Sequence, residues 1–234
     1  MPTARQRATS AQATEEGHAG RTQPSKASKK SSPSGPGTAA TRDRVLDIAE
    51  RLVQTRGFNA WSYADIAAAL GITKASLHYH FPTKADLGAR LIARYEETFL
   101  RALHAIDASG KDPLARLEQY MGIYESVLRD DRLCLCGMLA AEQGTLPPEM
   151  KAGLRSFFDA NEAWLAALLE EGRERGELHF EGKAEEQANS LVGSLEGAML
   201  VARLYEEVAR FTQMTTRLLA MLRAPRASAA RRAH

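Results

Sequence analysis

The chain has 234 residues, with 31 Lys and Arg set against 29 Asp and Glu, and a formal net charge of +2. That length holds one large core, or a small domain joined to a larger one, and so small a net charge names no partner. No apolar run approaches the length of a bilayer span or a signal-peptide core, so a cytoplasmic protein is expected.

Residues 1–40 are rich in Ser, Thr, Ala, Gly and Pro and carry no apolar period, which predicts a disordered tail. The tail holds the basic excess: Arg5, Arg7, Arg21, Lys26, Lys29 and Lys30 against Glu15 and Glu16. It reads either as an idle extension or as a basic arm attracted to DNA phosphates. Order is expected from Thr41, a helix cap. Val45, Ile48, Ala49, Leu52 and Val53 then follow the spacing of an amphipathic helix that Gly57 stops. Ser62 and Asp65 form a capping-box pattern for a helix with Tyr63, Ile66, Ala67 and Leu70 inward. Gly71 ends it, and Thr73 caps a short helix to His80 that buries Leu77 and Phe81. After Pro82, Thr83 and Asp86 repeat the capping pattern and open a long helix through Leu87, Leu91, Tyr95, Phe99, Leu103 and Ile106.

The remainder also reads as helix. Pro113 suits a first helical turn and begins the stripe Leu117, Tyr120, Tyr124, Val127 and Leu128. A shorter helix is expected over 133–143, another from Pro147-Pro148 to Gly176, and two more over 184–205 and 207–222, with residues 224–234 as a second disordered tail. Only Leu178-His179-Phe180 resembles a strand. The fold class is therefore all-α, with about nine helices.

The two short helices joined at Leu70-Gly71-Ile72 and packed on a preceding helix make a helix-turn-helix. A helix fits the major groove of DNA, where base edges present a distinguishable donor and acceptor pattern. Gly57-Phe58, Tyr63-Ala64-Asp65-Ile66-Ala67, Leu70-Gly71-Ile72 and the run Thr73-Lys74-Ala75-Ser76-Leu77-His78-Tyr79-His80-Phe81-Pro82-Thr83-Lys84 closely resemble the DNA-binding domain of TetR/AcrR regulators. The resemblance covers Arg44 to Leu87, about a fifth of the chain. It implies that Thr73, Lys74, Ala75 and Ser76 touch base edges, that Tyr79 and His80 contact the phosphate backbone, that Lys84 grips a phosphate, and that Ser62 caps a helix facing DNA. From the residues alone the alternatives stay open: Lys74 as a solvated lysine, His80 as a brace beside Leu77, and Thr73 and Ser62 as plain caps.

The same resemblance divides the chain into a DNA-binding domain over 41–87 and a ligand-binding and dimerisation domain over 88–223. It implies a homodimer on a palindromic operator, most simply a repressor released by a small-molecule effector. Ser190, Gly193, Ser194, Gly197, Val201 and Leu204 are candidates for the dimer interface, although that face can equally pack within the chain. His104, Tyr120, Tyr124, Cys134, Met138, Phe157, Asn161, Trp164 and Met199 are effector-pocket candidates. Asn161 stands out, since an amide beside an apolar stripe needs either a partner or solvent. Cys134 and Cys136 form no disulfide framework, and two residues apart on a helix they diverge by about 200°. A thiol-based redox or electrophile sensor using Cys134, with Arg132 as the cation that lowers its pKa, is one alternative function. A transcriptional activator of the same fold is the other. No GxSxG, P-loop, dinucleotide fingerprint or paired metal-ligand motif is found, so no catalytic, cofactor or metal site is expected.

Overall fold

The computed structural model describes residues 36–225; the two expected terminal tails fall largely outside the described residues. Nine α-helices occur among them: α1 (Pro36–Arg56), α2 (Tyr63–Leu70), α3 (Lys74–His80), α4 (Lys84–Ala108), α5 (Pro113–Arg129), α6 (Leu135–Ala141), α7 (Pro148–Glu174), α8 (Ala184–Leu204) and α9 (Val208–Leu222). A short 3-10 turn, Gln143–Thr145, follows α6.

Most helix ends follow from the capping residues. Ser62 and Thr83 each close a full capping box, with Asp65 and Asp86 returning to the cap N–H. Thr73 Oγ1 accepts from Ser76 N–H at 3.1 Å, and Asp112 caps the helix that Pro113 opens. Gly71 takes φ 65°, the left-handed turn that ends α2. One start is corrected. Thr41 is not a cap but lies within α1, its Oγ1 donating back to Gly37 O at 2.8 Å. Pro36, which lacks an N–H and suits a first turn, begins that helix instead, so the last five residues of the expected disordered tail are helical.

The apolar stripes meet in one core that runs from Val45, Leu46 and Val53 on α1 to Phe211 and Leu222 on α9. Leu77 and Phe81 are buried, as the spacing on α3 requires, and α3 packs on α2. The second half is built by α4, α5, α7, α8 and α9, with α7 and α8 packing most extensively. The strand-like Leu178-His179-Phe180 makes a single antiparallel bridge, Leu178 to Arg223. His179 N–H donates to Leu222 O at 2.7 Å, which pins the α7–α8 connection to the end of α9.

α6 joins the two halves. Leu133 N–H donates to Gln54 O at 3.1 Å, and Arg132 reaches Gln54 Oε1 at 3.0 Å, tying the start of α6 to α1. At the other end, Glu142 Oε2 accepts from Phe58 N–H at 2.8 Å and from Asn59 N–H at 3.1 Å. Gly57 serves this clamp twice: its φ of 84° turns the chain, and a Cβ there would overlap Glu142 Oε1.

Candidate functional site

The leading end of α3 projects from the small N-terminal half. Thr73, Lys74 and Ala75 are exposed, Ser76 is partly so, and no acidic residue occurs between Thr73 and Lys84. Such a face suits an anionic partner. Tyr79 is 57% exposed, a large aromatic left in water beside His80, with which it makes an edge-to-face contact at 5.4 Å. Ser62 is exposed at the start of α2, on the same capped rim. His80 is only half-buried, so both readings of it, brace and phosphate contact, fit its position.

Two residues brace this projection. The Tyr63 hydroxyl lies 2.9 Å from Phe81 O and 2.5 Å from Thr83 O, fixing the α3–α4 turn, and burial pushes its pKa up to about 12. His78 rests on the Tyr63 ring at 4.7 Å, with Nδ1 3.0 Å from Pro82 O. Lys84 does not reach outward. Its Nζ donates to Phe58 O and Trp61 O, both at 2.5 Å, and lies over the Phe58 and Trp61 rings at 4.5 and 4.0 Å. The carbonyls and rings of the α1–α2 connection occupy the ammonium that the resemblance assigns to a phosphate. Desolvation lowers its pKa, consistent with that inward seat.

The pocket candidates separate into two groups. Tyr120, Tyr124, Phe157, Asn161, Met199 and Cys134 are buried together between α4, α5, α7 and α8. His104 is exposed on the outer face of α4, Met138 is half-buried, and Trp164 points its Nε1 to Asp107 Oδ2 at 2.9 Å near the surface. Asn161 finds its partner inside: Tyr120 OH donates to Oδ1 at 2.9 Å, Nδ2 donates to Tyr124 OH at 3.0 Å, and the two hydroxyls are 3.2 Å apart. The three groups close a ring in which each hydroxyl can donate once and accept once.

A cavity of ≈ 10 Å³, room for about one water, is lined by Tyr95, Phe99, Ile123, Tyr124, Val127, Cys134 and Met199. Tyr95, Phe99, Ile123 and Val127 escaped the sequence-based set because stripe aromatics and aliphatics look like ordinary core. Glu196 escaped it too. Its Oε1 is buried without a hydrogen-bond partner, and burial pushes its pKa up to about 7. A signal existed: Glu196 falls on the stripe of Val192 and Met199, at i+4 and i+3, where a charge is out of place.

Both thiols are buried, and burial beside Glu196 pushes Cys134 and Cys136 well above the usual thiol range. Cys134 caps α6, its Sγ accepting from Gly137 N–H at 3.5 Å and from Tyr95 OH at 3.9 Å. Arg132, expected as the activating cation, is instead committed to Asp130 at 2.6 Å and to Gln54. Among the described residues no cluster of three or more His, Cys, Asp or Glu is arranged to hold a metal, and no helix is long and apolar enough to cross a membrane.

Known proteins share this arrangement. Residues 45–91 match the family described as bacterial regulatory proteins, tetR family, and residues 113–218 match the tetracyclin repressor-like C-terminal domain. The transcriptional regulator AcuR of Cereibacter sphaeroides is 31% identical over 153 residues, covering 64% of this chain and 70% of that protein. The transcriptional repressor NemR of Escherichia coli K12 is 25% identical over 170 residues, covering 70% of this chain and 84% of that one. The crystal structure of a TetR-family regulator from Agrobacterium tumefaciens superposes with a TM-score of 0.77 at 33% identity, over 80% of this chain and all of that one. With a braced helix-turn-helix at one end, a helical second half, and both halves matched in order, the chain belongs to the TetR family of DNA-binding transcriptional regulators.

Proposed function

We propose that the protein is a homodimeric cytoplasmic repressor, held on a palindromic operator by two copies of α3 and released when a small molecule occupies the aromatic core of its second domain. The observation that carries this reading is the clamp of Glu142 on Phe58 and Asn59 N–H. It ties α6, whose Cys134 cap borders the core cavity, to the connection between α1 and α2. A ligand that favours a different seating of α6 therefore biases the position of the reading head, which is a population shift between two conformations. In DNA the exposed Thr73, Lys74 and Ala75 and the partly exposed Ser76 would meet base edges and Tyr79 and His80 the backbone, with Ser62 on the same rim. Lys84 acts from behind, holding the α1–α2 connection on which α3 rests.

The division into a reading domain over 41–87 and an effector and dimer domain over 88–223 is part of the same proposal. So is the dimer face. Ser190, Gly193, Gly197, Val201 and Leu204 are exposed in the single chain, and Leu204 is 79% exposed. Leu200, Tyr205, Met214 and Met221, also on or beside α8 and α9, are large apolar side chains left exposed as well. A twofold partner covers it and supplies the second α3 that a palindrome needs.

The buried, protonated thiols and the engaged Arg132 lend no support to the thiol-sensor alternative. Selection of bound duplexes from a random pool tests the main reading. Recovered sites are expected to be inverted repeats with half-sites about one helical turn or more apart; recovery of asymmetric sites, or of none, rejects it. Footprinting of the native site then separates a repressor, whose site overlaps the promoter, from an activator, whose site lies upstream.

A further inference from the structure

Glu196 is a half-buried carboxyl on α8 at the edge of the second domain's core, with the Cys134 thiol as its hydrogen-bonding neighbour. Its Oε1 is buried without a partner, and no lysine or arginine among the described residues pairs with it. Leaving a carboxyl oxygen unpaired in a desolvated site is costly, and in a native structure such an atom calls for an occupant. The core cavity is not lined by Glu196 itself, but it is lined by Met199, one turn along α8, and by Cys134, the thiol that faces Glu196. Three of its walls are the rings of Tyr95, Phe99 and Tyr124.

These features select a ligand chemistry. An unpaired carboxyl oxygen needs a donor, and a cationic donor makes the stronger bond. Aromatic faces attract the positive charge of an ammonium, while no basic group is present to receive a carboxylate or a phosphate. We infer that Glu196 anchors the effector and that the effector is a primary or secondary ammonium carried on a small apolar body. The inference rests on the effector-release reading above and assigns its ligand class. The cavity at rest has room for about one water, so the apolar body enters by displacing the rings of Phe99 and Tyr95.

The position of Glu196 also explains how occupancy is felt. A Cβ at residue 137 would overlap Glu196 Oε2, so the carboxyl packs directly on the backbone of α6 at Gly137. Drawing the carboxyl toward a ligand changes that contact, five residues from the Glu142 clamp.

Calorimetric titration of the full chain with benzylammonium, n-butylammonium, benzyl alcohol and benzoate tests this, on the unaltered protein and on Glu196→Gln. Glutamine keeps the shape and removes the charge, and a thermal melt verifies that the variant folds. An ammonium probe is expected to bind the unaltered protein, and to bind Glu196→Gln about tenfold or more weakly, the loss of one charge-assisted hydrogen bond. Binding should strengthen from pH 6 to pH 8 as the carboxyl ionises. The groups facing it (Tyr95 on α4, Tyr120 and Tyr124 on α5, Cys134 and Cys136 at α6) stay protonated across that range. No ammonium binding by the unaltered protein, which leaves a trapped water as the occupant, overturns the inference, as does equal binding by Glu196→Gln. Operator release separates the two proposals. A neutral or anionic compound that frees the operator from both proteins alike sinks the ammonium assignment and leaves effector release standing. Ammonium binding without any change in operator affinity does the reverse.

Discussion

Lys84 and Lys74 lie ten positions apart, and the structure gives them opposite surroundings. Lys84 is folded onto Phe58 O and Trp61 O, whereas Lys74 stands exposed at the tip of α3. Lys84→Ala is therefore expected to lower the stability of the N-terminal half by about 1.5–3 kcal/mol, the range for hydrogen bonds to a charged group, and to leave the salt dependence of operator binding nearly unchanged. Lys74→Ala should leave the melting temperature in place and relax preference at one base pair by about 1–3 kcal/mol. Melting curves and binding isotherms at several salt concentrations read both; a salt slope that falls by a full unit in Lys84→Ala would return that residue to the phosphates. Glu196 makes a second residue-scale prediction. Its folded pKa of about 7 lies above the ordinary 4.5, so the native state holds the proton more tightly than the unfolded chain. Its carboxyl thus costs nothing below pH 4.5 and destabilises progressively as pH rises through about 7, by up to about 3 kcal/mol. The neighbouring Cys134, Tyr95, Tyr120 and Tyr124 are all raised well above that window and add no slope. Glu196→Gln should flatten the fall in stability between pH 5 and pH 8 measured by denaturant titration.

Between helices, the decisive contacts are polar groups that the apolar stripes do not announce. The ring of Tyr120, Tyr124 and Asn161 joins α5 to α7 in the interior. Tyr120→Phe removes the donor to Asn161 Oδ1 and leaves that oxygen buried and unsatisfied, an expected loss of about 1–3 kcal/mol in unfolding free energy. Asn161→Leu removes one of the two partners of each hydroxyl, leaving only their mutual bond, and should cost at least as much. The Glu142 clamp joins α6 to the α1–α2 connection, a different kind of contact because it lies between the two elements that the proposed release would couple. Glu142→Ala is predicted to keep operator binding within a few fold while abolishing most of the response to any effector. Retention of full inducibility in that variant would show that α4, which runs continuously from the reading head into the core, carries the signal without α6.

For the whole molecule, the apolar surface on α8 and α9 is the feature a single chain cannot explain. Val201 and Leu204 are 49% and 79% exposed, and Gly193 and Gly197 have open space where a Cβ would stand, so another helix can approach closely. Placing two charges there, Val201→Asp with Leu204→Asp, is expected to give a folded monomer by sedimentation that binds a palindrome no better than an isolated half-site. A dimer that persists in that variant would move the interface elsewhere.

Much of this molecule could be read from the chain alone, and the reason is periodicity. The stripes from Val45 to Leu222, the capping boxes at Ser62 and Thr83 and the left-handed Gly71 are local signals, each needing only a few neighbouring residues to act. The helix order, the helix-turn-helix and the burial of Leu77 and Phe81 followed from them. Thr41 misled because a cap and an interior threonine differ only in what precedes them, here Pro36 and Gly37. Long-range pairing was decided by the tertiary structure. The seat of Lys84, the clamp from Glu142 to residues 83 and 84 positions away, the burial of both thiols and the isolation of Glu196 Oε1 depend on which helices meet. A side chain's spacing tells which way it faces on its own helix, but only packing decides what it faces.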